Sequence, residues 1–197
     1  MESISQHGSP PPDYREFLYW RLTDRPWRMV VMQALTLPIF AVCAVGFFWI
    51  ALRFGKLPLE VSFGSPLNLL ALILGAFLTL IVHEFVHGTA MQLFGAHPKY
   101  GVLWKQFIVY ATAPGYAFTR AQYLVTSLAP LVVLSLLSIG AIWMLAGTTW
   151  VLFFVLVASI NVGGSVGDLW ISLIVLRYPA HAYVMDERDG MRIFLPA

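Results

Sequence analysis

Charge is scarce in this chain. Acidic and basic residues together make up 11% of its 197 residues, against about 25% in an average soluble domain. So few charges cannot clothe a surface that meets water on every side, which excludes an ordinary soluble globular protein. The net charge of +2 gives no basic field of the kind nucleic-acid binding demands, so no nucleic-acid partner is expected. A single cysteine, Cys43, excludes an internal disulfide. No internal repeat or low-complexity tract is present. Residues 1–28 are polar and proline-bearing and do not resemble a cleaved signal peptide. The first apolar stretch is therefore read as a signal anchor.

What the chain has instead is apolar length. Hydrophobic residues make up 59%, gathered into four stretches long enough to cross about 30 Å of hydrocarbon. They run from Met29 to Leu52, Leu67 to Phe94, Gln122 to Leu145 and Thr149 to Leu176. The expected fold class is an all-α integral membrane protein with four transmembrane helices and one small β-hairpin on the cytoplasmic side between helices two and three. The expected organisation is a cytoplasmic segment at 1–28, a four-span domain at 29–176 and a cytoplasmic tail at 177–197. Within the first segment, Asp13–Asp24 sets Phe17, Leu18, Trp20 and Leu22 against Arg15, Arg21 and Arg25, a pattern that suits an interfacial helix. Pro38 is placed to kink the first span.

The hairpin is read from composition. Gly101–Thr112 is rich in Val, Phe, Ile, Tyr and Trp, and Ala113-Pro114-Gly115-Tyr116 fits a type II turn. Ala117–Thr119 then returns as a second strand. Thr119 and Gln122 have capping-box spacing, so the third span starts there. In the tail, a turn is expected near Asp189-Gly190, and His181, Asp186 and Glu187 are read as solvated.

His83, Glu84 and His87 spell HEFVH inside the second stretch. On a helix, HExxH presents two imidazoles one turn apart, both able to ligate Zn2+, while the glutamate can take a proton from a water the metal activates. Ionisable groups in a bilayer are costly, about 2.5–3.5 kcal/mol for a charge at mid-depth, so their presence there points to function. A catalytic zinc usually has three protein ligands. The third candidate is Asp168 in the fourth span. His83 and Asp168 lie about sixteen and about nineteen residues into spans of the same direction, a difference in depth of about 4.5 Å. Asn161, Ser165 and Asp168 recur on one helical face, which makes Asn161 and Ser165 candidates for supporting the metal ligands or contacting substrate. Gly163, Gly164 and Gly167 would let the fourth helix come close to the second.

Together, HEFVHG, the hairpin-like insert and the N-x-x-x-S-x-x-D segment at 161–168 resemble a family of small integral-membrane zincin peptidases, similar in layout to the site-2 protease type of intramembrane zinc metalloprotease. The resemblance runs from about Met29 to Leu176. It implies zinc-dependent hydrolysis of peptide bonds in membrane protein or peptide substrates. By position it makes His83, His87 and Asp168 the ligands, Glu84 the base and Asn161 a substrate contact. The site-2 protease pattern carries Leu-Asp-Gly near a proline-rich stretch. Here Leu169-Trp170 follow Asp168 and no proline precedes it.

Two other classes accommodate HExxH in a span. A metal permease would spread ionisable groups along a path through the bilayer, whereas here they gather at one depth. A non-enzymatic membrane scaffold retaining a zincin fold would have no need of Glu84. The reading carried forward is a multi-pass zinc metalloprotease of a prokaryotic cell membrane.

Basic residues orient it. With both termini in the cytoplasm, ten of the twelve lie inside and only Arg53 and Lys56 outside. Cysteines introduced at Ser9, Lys99 and Asp189 are expected to resist a membrane-impermeant thiol reagent in intact cells, and one at Lys56 to react. The reverse labelling pattern would invert the topology.

Overall fold

The computed structural model describes residues 8–55, 66–104 and 108–197. Among these, four helices are long and apolar enough to cross a membrane: Pro26–Phe54, Leu69–Leu93, Arg120–Met144 and Trp150–Val175. They match the four expected stretches closely. Leu69, Ile73, Phe77 and Leu78 in the second remain more than half exposed, which suits contact with acyl chains rather than water.

As folded elements these are α1 (Pro26–Phe54), α2 (Pro66–Leu93), α3 (Arg120–Met144), α4 (Trp150–Gly164) and α5 (Val166–Val175). The fourth stretch is thus two helices joined at Ser165. The Ser165 N–H reaches the carbonyls of both Asn161 and Val162, at 3.0 and 3.2 Å, and its hydroxyl donates back to the Asn161 carbonyl at 2.8 Å. Such side-chain back-bonding competes with the regular helical ladder. The start of α3 is the expected capping box. The Thr119 N–H donates to Gln122 Oε1 at 2.9 Å and the Gln122 N–H to Thr119 Oγ1 at 3.3 Å.

The all-α expectation is corrected. Six strands occur among the described residues: β1 (Tyr14–Arg21), β2 (Lys99–Leu103), β3 (Ile108–Thr112), β4 (Ala117–Thr119), β5 (Tyr183–Glu187) and β6 (Gly190–Pro196). The interfacial helix expected at Asp13–Asp24 is strand β1. Trp20 and Leu22 are buried and Leu18 packs against them, a period of two that the neighbouring Phe17 masks in the sequence. A bulge between Glu16 and Leu18 takes Phe17 out of register and leaves it exposed. The aromatic content of the segment favours a pleated surface.

The hairpin is present with a different pairing. β2 pairs with β3, Tyr100 opposite Ala111 and Val102 opposite Val109. The turn at 113–116 forms as expected, with a Tyr116 N–H to Ala113 carbonyl bond of 3.2 Å and Gly115 at φ +80°, the left-handed position a type II turn requires. It does not fold β4 back onto β3. It sends β4 into a second sheet of order β1-β6-β5-β4, all neighbours antiparallel.

The chain divides into two compact units. One comprises Met1–Met32, Glu84–Ala129 and Gly167–Ala197. It holds the sheets and a core that includes Trp20, Met91, Phe118, Val184, Met191 and Ile193. The other comprises Gln33–His83 and Pro130–Val166, packed around Phe47, Ala51, Ile142, Val151, Val155 and Ala158. The small residues of the fourth stretch serve mainly α1 rather than α2. A β-carbon on Gly163 would stand 3.2 Å from Phe40 Cβ, one on Gly167 3.1 Å from Met32 Cε, and only Gly164 faces α2, at Leu80.

Candidate metal centre

Helical geometry alone brings His83, Glu84 and His87 of α2 together, each offering a ligand atom within 4.8 Å of the others. Both histidines are buried. A buried imidazole must satisfy two nitrogens, and the partner of one decides the proton on both.

His83 Nδ1 lies 3.0 Å from Asn161 Oδ1. The orientation of that amide is set elsewhere, because Asn161 Nδ2 donates to the Pro130 carbonyl at 3.2 Å. A carbonyl only accepts, so the amide nitrogen faces Pro130 and the oxygen faces His83. His83 therefore carries a proton on Nδ1. His87 is governed by the same logic. Its Nδ1 donates to the Thr126 carbonyl at 2.9 Å, which turns Nε2 toward Asp168. Fixing the far nitrogen of a ligating histidine in this way sets both its tautomer and its aim.

Asp168 lies in the first turn of α5, with Oδ1 3.3 Å from His87 Nε2. A lone pair and a carboxylate oxygen at that distance repel unless a cation joins them, either a proton on the ring or a metal ion. With ligand bonds of about 2.0–2.1 Å, the edge of a zinc tetrahedron is about 3.3 Å. The spacing and the imidazole–carboxylate chemistry both suit zinc. The Asp168 carbonyl is held separately, by the Ser127 hydroxyl at 3.2 Å. The Arg120 guanidinium donates to the Tyr178 carbonyl at 2.6 Å.

Glu84 Oε2 accepts the Ala111 N–H at 2.7 Å, so β3 reaches the carboxylate from its backbone. Partial burial and the Glu84 charge both raise the Tyr100 hydroxyl above its ordinary pKa. Gly88, directly after the motif, leaves room for that hydroxyl; a β-carbon there would collide with it. Ser165 is bonded to the Asn161 carbonyl, and His97 and His181 are exposed.

The model of the family described as "Putative zincin peptidase" matches residues 76–183. The chain belongs to that family. The match takes in α2 from residue 76 onward with its HExxH residues, both strands of the hairpin, and Asn161 and Asp168. A relative from Pyrococcus woesei, described as an uncharacterized 24.7 kDa protein in the gap 5′ region, is 29% identical over 138 residues, which is 68% of this chain and 59% of the relative. The chain thus spans less than two thirds of that protein's length. No solved structure matches it.

One expectation about the tail is overturned. Asp186 is not solvated. It points inward from β5, and its Oδ1 accepts the Tyr123 hydroxyl at 3.2 Å. Its Oδ2 is buried, as are the hydroxyls of Thr112 and Thr126. Its neighbour Glu187 accepts from Arg192 at 2.8 Å. Nothing in the sequence around Asp186-Glu-Arg-Asp distinguishes it, because its burial comes from Tyr123 on a distant helix. Burial is the largest influence on this carboxyl and raises its pKa from 3.8 to about 7. Thr112, His87 and Tyr123 oppose that rise, and Glu84 adds to it. The folded state therefore holds this proton up to about pH 7, whereas the unfolded chain releases it near 3.8. Between those values the folded protein binds more protons, so stability falls as pH rises and levels off above about pH 7. In chelator-treated protein, Asp186→Asn is expected to flatten that part of the stability–pH curve and to stabilise the protein above it. A slope identical to wild type in thermal melts across this range would show that Asp186 is ionised in the folded state.

Proposed function

We propose that the chain is an integral-membrane zinc endopeptidase that hydrolyses peptide bonds of membrane-associated substrates near the cytoplasmic side. The observation that carries the reading is the pair of anchored imidazoles. Asn161 and the Thr126 carbonyl each hold an Nδ1–H, which leaves Nε2 as the nitrogen each ring would offer a metal, and an aspartate oxygen stands 3.3 Å from one of them. His83, His87 and Asp168 would hold the ion. When bound, zinc supplies a Lewis acid that polarises the scissile carbonyl and brings the pKa of a water toward about 7. Glu84 then accepts the water proton and passes it to the leaving amine. The Ala111 N–H steadies the carboxylate between those steps.

Substrate presentation follows from the same contact. A peptide must be extended to offer its carbonyl, and extended backbone in a water-poor setting needs hydrogen-bond partners. The Ala111 N–H points to Glu84, so the β3 edge turned away from β2 faces the base. Alternation along an antiparallel strand gives Val109 the same edge. Addition of a substrate strand there would lay its backbone beside Glu84.

Two experiments test the reading. Glu84→Gln is expected to keep about one zinc per chain by elemental analysis while lowering proteolysis by about 10²–10⁴-fold, and Asp168→Ala to lose zinc. Loss of metal from Glu84→Gln would show that Glu84 is a ligand rather than the base. Substrates are found by comparing membrane proteomes of cells carrying wild type and Glu84→Gln. In a proline scan of 103–110, Val109→Pro is expected to impair cleavage while zinc content and folding stay intact. Wild-type rates in every folded variant would remove the hairpin from substrate binding.

A further inference from the structure

We propose that Pro130 is a positioning residue for His87: by withholding an N–H from α3, it leaves the Thr126 carbonyl to hold the imidazole with Nε2 turned toward Asp168. The inference rests on the metal-binding reading above and extends it to a residue outside the ligand set.

In an α-helix the carbonyl of each residue accepts the N–H four positions on. Thr126 stands four residues before Pro130, and α3 runs unbroken from Arg120 to Met144 with Pro130 inside it. Proline has no N–H, and its ring pushes the carbonyl four residues back off the helix axis. The Thr126 carbonyl therefore loses its helical donor at a buried position, where an unpaired acceptor is costly. Membrane helices tolerate proline when a neighbour re-satisfies the freed group. Here the neighbour is the second histidine of the HExxH motif, with Nδ1 at 2.9 Å.

The same turn reaches the first histidine by a different route. The Pro130 carbonyl accepts Asn161 Nδ2 at 3.2 Å, and Asn161 Oδ1 meets His83 Nδ1 at 3.0 Å. The proline's effect on that side is weaker, because any residue at 130 would supply a carbonyl. The specific consequence of proline, as opposed to alanine, falls on His87.

Pro130→Ala restores the missing N–H and draws the Thr126 carbonyl back into the helical ladder. Wild type, Pro130→Ala and, as a control, Pro38→Ala in α1 would be compared in detergent by two measurements. One is zinc affinity by competition with a chromophoric chelator; the other is the ¹⁵N spectrum of the metal-free imidazoles. Pro130→Ala is expected to lose the Nδ1–H signature of His87 and to bind zinc about 10–100-fold more weakly, the usual cost of removing a partner behind a metal ligand. Its metal-free thermal unfolding is expected at or above the wild-type temperature, because alanine is the better helix former. Pro38→Ala should leave both measurements unchanged. Unaltered zinc affinity and an unaltered tautomer in Pro130→Ala would overturn the proposal while the zinc reading stood. Absence of zinc from wild type would overturn the zinc reading, and the tautomer measurement would still decide the role of Pro130. If Pro130→Ala does not fold, Pro130→Ser, which also restores the N–H, takes its place. Failure of both to fold would overturn the proposal, since a positioning residue is dispensable for the fold.

Discussion

An imidazole in an apolar interior must find a partner for each ring nitrogen, and most of the candidate centre follows from meeting that demand twice within one turn of α2. His83 draws in Asn161, which in turn needs the Pro130 carbonyl for its amide. His87 draws in the Thr126 carbonyl and Asp168. Glu84, beside both histidines on α2, takes the Ala111 N–H and thereby fixes where β3 lies. Each partner arrives from a different element, so the demand of a few polar atoms specifies how those elements approach α2.

The parts legible in the sequence are those encoded by local rules. Hydropathy located the spans, because about twenty consecutive apolar residues have few other uses. The Thr119–Gln122 capping box and the Pro114-Gly115 turn came from short-range stereochemistry and both formed. HExxH announced the candidate centre because the helix itself supplies its spacing. Asp168 was reached only by matching depths along two spans, and it does stand beside His87.

What the sequence concealed depends on distant pairing. β1 reads equally well as an amphipathic helix, because Phe17, Leu18, Trp20 and Leu22 fit either period until β6 and the bulge at Glu16–Leu18 choose one. β4 was expected to fold back on β3, but β5, some sixty residues later, captures it. Asp186 looked like an ordinary acidic-turn residue and became a half-buried group with one enclosed oxygen because it meets Tyr123 beneath the sheet. The break at Ser165 hides within an uninterrupted apolar run, since a hydroxyl that back-bonds leaves no trace in hydropathy.

The pairing of β1 with β6 also bears on when the molecule becomes competent. Tyr14 lies opposite Pro196 and Arg21 opposite Gly190, so a strand made early in synthesis waits for one made some 170 residues later. At about 5–20 residues per second of translation, α1, α2 and α3 are complete before β1 acquires its ladder partner. Contacts of such sequence separation are late and slow to close. The buried face of this sheet includes Val184, Met191 and Ile193, and it belongs to the same compact unit as Glu84, His87 and Asp168. A nascent chain thus carries the HExxH helix for many seconds before the sheet that completes the unit of Glu84, His87 and Asp168 has closed.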